Sequence, residues 1–156
     1  MTTTPGTELE TISRKLQRVY ALVLKGEREF DGSPAGLALL DRLMNDPAWA
    51  WLRPLSMLIA EIDHVLAQSQ PPTEYDHAVA AAHIRGLLSG EGELRNEVFL
   101  ERYRALLQLN PELASTHGEL RTLLRAAPTE SANEAERLHA RHQWAMRTRH
   151  RTHDQH

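Results

Sequence analysis

Apolar residues recur at spacings of three and four along almost the whole chain. Leu9, Ile12, Leu16, Val19 and Val23 form the first such stripe, the pattern of an amphipathic helix. Thr7 and Glu10 precede it as a T-x-x-E capping box. Gly26 weakens its far end, and Asp31-Gly32-Ser33-Pro34 stops it. Ser33 as N-cap and Pro34 at the first helical position then start a second helix, carrying Leu37, Leu40, Leu43 and Met44. Asp46 and Pro47 repeat that signal and predict a third helix reaching about Gln68. After the Pro-rich loop "SQPPTEYD", Thr73 caps a fourth with Val79, Ala80, Ile84 and Leu87. "SGEGE" breaks the pattern before a fifth helix with Phe99, Tyr103, Leu106 and Leu107. Asn110 and Pro111 start a sixth, with Leu113, Leu120, Leu123 and Leu124. Beyond "AAPTES" the chain stays helix-compatible, but Leu138, Trp144, Ala145 and Met146 are its only apolar anchors.

No window alternates with period two, and short connections favour antiparallel neighbours. The expectation is an all-α fold: a compact antiparallel helical bundle of about six helices over residues 1–128. A loosely anchored, His/Arg-rich C-terminal helix or tail follows at 129–156.

The third helix is unusual. On a wheel of about 100° per residue, Leu55, Leu58, Ile59, Val65 and Leu66 cluster around Ile62, and Trp51 joins them. Trp49, Arg53 and Met57 fall on the opposite side as an i, i+4, i+8 ridge. Pro54 cannot donate to the Ala50 carbonyl and disfavours helical dihedrals at Arg53. Either the helix kinks there or residues 47–52 form a separate turn. Two readings of the ridge stand side by side. Either the helix is central and wrapped on both faces, or the ridge faces a partner subunit or apolar ligand. Trp, Arg and Met are enriched at interfaces, and Arg53 could stack on Trp49.

The segment from Asp46 to Asp63 resembles one that recurs in small bacterial all-helical proteins. There an Asp-Pro is followed by aromatic residues, then Trp-Leu-Arg-Pro-Leu-Ser and an Ile-Asp. Here these are Asp46, Pro47, Trp49, Trp51 to Ser56, Ile62 and Asp63. The likeness extends from about Leu9 to Leu124, including "NPELASTHGELRTLL", and stops before the histidine-rich tail. It implies the fold and no established activity.

Composition narrows the function classes. A net charge of −3 argues against specific nucleic-acid binding, which wants a basic face. The absence of cysteine excludes disulfides, thiolate metal sites and cysteine nucleophiles. No apolar run approaches a membrane span, and "MTTTPGTELE" has neither the basic nor the apolar part of a signal peptide. A cytoplasmic protein is the expectation. Five of the nine histidines lie between His139 and His156, and protonating all nine would move the charge from −3 to +6.

Three Glu-x-x-His pairs occur, Glu61/His64, Glu74/His77 and Glu136/His139, the spacing used by di-iron bundles. The first two flank a single loop, unlike the separated helices that such a core requires, so no metal site is expected. His83 and His117 read as core histidines bonded to a carbonyl or to a Ser/Thr of a neighbouring helix. No acid is placed to orient His117 beside Ser115 and Thr116, so a hydrolase triad is not supported. No catalytic residue and no cofactor is assigned. The sequence favours a non-enzymatic helical protein-interaction module, self-associating or binding a protein partner through Trp49, Arg53 and Met57. The alternative is a helical binder of a small apolar ligand or metal ion.

Overall fold

A computed structural model describes residues 4–31 and 47–153. The described chain is all-α. Its helices are α1 (Pro5–Asp31), α2 (Arg53–Ala67), α3 (Glu74–Ser89), α4 (Glu97–Leu109), α5 (Pro111–Ala126) and α6 (Glu134–His153). Short 3-10 helices at Pro47–Leu52 and Gly92–Leu94 precede α2 and α4. The expected helix with Leu37, Leu40, Leu43 and Met44 lies outside the described residues.

The caps follow local chemistry. Thr73 and Asp76 form a complete capping box on α3, and Asn96 and Asn110 accept from the backbone of α4 and α5. At α1 the cap differs from the expected Thr7/Glu10 box. The helix starts three residues earlier, with Thr4 Oγ1 accepting from the Thr7 amide at 3.1 Å and Pro5 opening the first turn. Pro5 is pre-set for that turn, and Thr4 can bond only a helix that begins there.

Leu9, Ile12, Leu16, Val19, Leu22 and Val23 of α1 are buried. Lys15 meets Glu119 and Arg18 meets Glu112, so the order of contacts reverses and α1 and α5 run antiparallel. Ser13 and Gln17 reach Asp63 and join α1 to α2.

The centre of the bundle is α3, which packs against each of the other five helices. Its run from Ala78 to Ala81 is buried on all sides, with Ile84, Leu87 and Leu88. Alanine removes side-chain bulk, so neighbouring backbones approach closely. Gly86 carries the same logic further: a Cβ there would lie 2.7 Å from Leu94 Cβ, with Leu94 backbone also within contact. Gly90 ends the helix at φ +71°, in the left-handed region that glycine favours.

The C-terminal segment is helical, and its inner face enters the same core. Trp144 is 2% exposed, and α6 packs on both α2 and α3. Polar groups complete the anchorage. Arg147 donates to the Gln68 side chain at 2.9 Å, to the Gln70 carbonyl at 2.7 Å and to Asp76. The Gln68 amide returns a bond to the Arg147 carbonyl at 2.9 Å. Arg141 binds Glu130 through two nitrogens, at 2.8 and 2.7 Å, and reaches Glu93. The planar guanidinium suits such bidentate geometry. Sequence reasoning counted only apolar anchors and so underestimated how firmly this helix is held.

Candidate interaction surface

The tryptophan segment resolves first. Residues 47–52 are a separate 3-10 helix, and α2 starts at Arg53 with Pro54 in its first turn. This is the second of the two geometries that Pro54 allows. Proline's missing amide costs nothing in a first turn, where no intrahelical acceptor exists. The wheel through Trp49 therefore does not apply across residue 53. Trp49 is 3% exposed and belongs to the core with Trp51 and Leu52, covered by its own chain. Arg53 is exposed on the first turn of α2, and Met57 is 55% exposed one turn further on. The expected Trp49/Arg53/Met57 ridge thus does not form one surface. Arg102 lies over the Trp51 ring, 5.6 Å from its centroid.

Behind Trp51 runs an aromatic series. Its ring lies 5.5 Å from Phe99, Phe99 stacks on Tyr103 at 5.4 Å, and Tyr103 meets His117 at 5.5 Å. The Tyr103 hydroxyl and His117 Nδ1 are hydrogen-bonded at 2.8 Å. Burial raises the Tyr103 phenol above its ordinary value. Burial, then the nearby Arg121 charge, pushes His117 down. A neutral His117 accepting from the phenol satisfies both groups. His117 is thus a satisfied interior histidine as expected, although its partner is a tyrosine. His83 bonds the Val79 carbonyl of its own helix at 2.8 Å. His77 is buried with Nδ1 3.3 Å from Glu8. Desolvation lowers its pKa, and Glu8 and Glu74 oppose that shift.

Among the described residues no three His, Asp or Glu side chains converge on a point where a metal could sit, so the Glu-x-x-His pairs do not meet. A cleft of about 570 Å³ between the start of α3 and α6 is lined by Tyr75, His139 and Gln143, with the Asp76–Arg147 pair at its side. Arg147 already has a hydrogen-bond partner for each of its guanidinium nitrogens.

An exposed apolar surface lies on α4. Its inner face is Phe99, Leu100 and Tyr103. Val98, Ala105 and Leu109 lie on its outer side, within about 60° of one another on a helical wheel. Val98 is 66% and Leu109 79% exposed. Beside them runs a groove of about 810 Å³ whose floor includes buried Leu22, Val23 and Leu113. Its rim carries Lys25, Glu101, Arg102 and Glu112. Sequence reasoning took only the inner stripe of this helix. The signal it passed over was the second apolar spacing, Val98 to Ala105 to Leu109, on the side the inner stripe leaves free.

Helices joined by short connections around a central helix, with an apolar outer face, define an all-α helical bundle. Compared with models of protein families, with curated proteins and with solved structures, the chain finds no match in any of the three. Among the described residues no helix is long and apolar enough to cross a membrane.

Proposed function

We propose that the protein is a non-enzymatic helical interaction module that engages a protein partner through the outer face of α4 and the groove beside it. The observation that carries this reading is the exposure of Val98 and Leu109 on one side of α4, above a groove with an apolar floor. Exposed apolar side chains scattered singly are ordinary. A stripe beside a groove is the geometry that receives one face of an amphipathic helix. The function class is the one the sequence favours, and the surface moves from the tryptophan segment to α4.

The reading is tested by placing a photoreactive side chain at Leu109 and, separately, at Met57, and irradiating cells that make each variant. A discrete protein adduct from position 109, absent from position 57, is the expected result. Adducts from 57 alone, or from neither, contradict it.

A further inference from the structure

We propose that the cleft between the start of α3 and α6 binds a small organic cation, a primary amine carried on an apolar body. The site shares no residue with the α4 groove and stands or falls separately from it.

The cleft measures about 570 Å³, within the range that receives a small organic ligand. Its walls come from segments far apart in the chain, Gln70 to Asp76 on one side and Ala135 to Arg147 on the other. An ion pair between Asp76 and Arg147 ties them together, with side chains only 6% and 11% exposed. Arg147 also donates to the Gln68 side chain and to the Gln70 carbonyl. Walls fixed before the ligand arrives reduce the ordering cost of binding.

The lining selects the charge. Asp76 accepts from the Thr73 amide and from Arg147, both times on Oδ2. Its Oδ1 therefore has no hydrogen-bond partner among the described residues, although the side chain is almost fully buried. Glu136, from the opposite wall, accepts from Ser131 on Oε2 and keeps Oε1 for a ligand. An ammonium group carries three donors and no acceptor, which suits one carboxylate oxygen on each wall. Such charge-assisted bonds are stronger than neutral ones. An anion fares worse. Every guanidinium nitrogen of Arg147 already has a partner, and Asp76 matches its charge. Glu136 then leaves the lining with an excess of negative charge. The apolar part of the site is Tyr75, which is 69% exposed and lines the cleft with Ala135 and Ala140. Its ring offers a face both to an apolar body and to a cation.

Amide NMR on the full chain, titrated with phenethylammonium chloride, tests the assignment. The expected result is saturable shifts at Tyr75, Glu136 and Gln143, with a dissociation constant of about 1 mM or tighter. Phenylacetate, which has the same ring and the opposite charge, should bind at least about tenfold more weakly. Tyr75→Ala should weaken the amine about tenfold and Glu136→Gln about threefold. Both positions are exposed, so the helical circular-dichroism spectrum should not change. Absence of saturable shifts up to about 20 mM amine overturns the inference. So does equal binding of phenylacetate, or two variants that bind the amine like wild type.

Discussion

The segment Pro47–Leu52 and the helix α4 carry apolar residues to opposite ends. The first concentrates two tryptophans and a leucine in six residues, and all three are buried. The second carries only a valine, an alanine and a leucine as apolar residues on its outer side, and the two larger ones are exposed. Aromatic density therefore reports packing here, and a modest aliphatic stripe reports the surface. The physical difference is what covers each. The 3-10 helix packs on α2 and α4, whereas Val98 and Leu109 on the outer side of α4 are exposed.

Several substitutions sharpen that contrast, and the largest effect falls on the tryptophan. Trp49→Ala should cost about 3–5 kcal/mol of stability, as large-to-small changes in cores do. Chemical denaturation measures it. A loss below about 1 kcal/mol would return Trp49 to the surface. A comparable loss, about 3 kcal/mol, is expected from Arg147→Met, which leaves Asp76 buried beside α6 without its cation. The same denaturation series checks it, and a change confined to unfolding of α6 would show a second, separate transition.

The dependence on pH is smaller. His77 and His117 both hold pKa values below their ordinary 6.5 because burial disfavours the imidazolium. In the unfolded chain they take up protons more readily. Their contribution is therefore fully present above about pH 6.5 and is lost as pH falls through the folded values. The denaturation midpoint should decline between pH 7.5 and 5.5, and His117→Gln should flatten part of that slope. Smallest of all is the effect on stability of Leu109→Arg and Met57→Arg, each within about 0.5 kcal/mol because the side chains are exposed. The two variants should differ in association: only Leu109→Arg weakens it.

Much of the fold was legible in the chain. Thr73, and Asn110 with Pro111, place helix starts because their chemistry is local, and α1 and α5 show their buried stripes as plain periodicity. Three features were not legible. The central position of α3 is hidden because Ala78, Ala80 and Ala81 give little hydrophobic contrast, although their smallness is what admits neighbours. The hold on α6 depends on Arg147 reaching Gln68, Gln70 and Asp76, contacts about seventy to eighty residues away that no periodicity records. A single helical wheel sets Trp49 opposite the core stripe and leaves open what covers it, and that wheel fails at Pro54, where the chain changes from 3-10 to α geometry. The candidate surface was half visible: Val98, Ala105 and Leu109 could be placed on one side of α4, but their exposure depends on which neighbours α4 has.

The contrast itself is open to one direct measurement. A neutral paramagnetic co-solute added to dilute protein broadens the NMR signals of groups that solvent can reach. The Leu109 methyls should broaden strongly and the Trp49 indole should stay sharp. A broadened Trp49 indole beside protected Leu109 methyls would contradict the account.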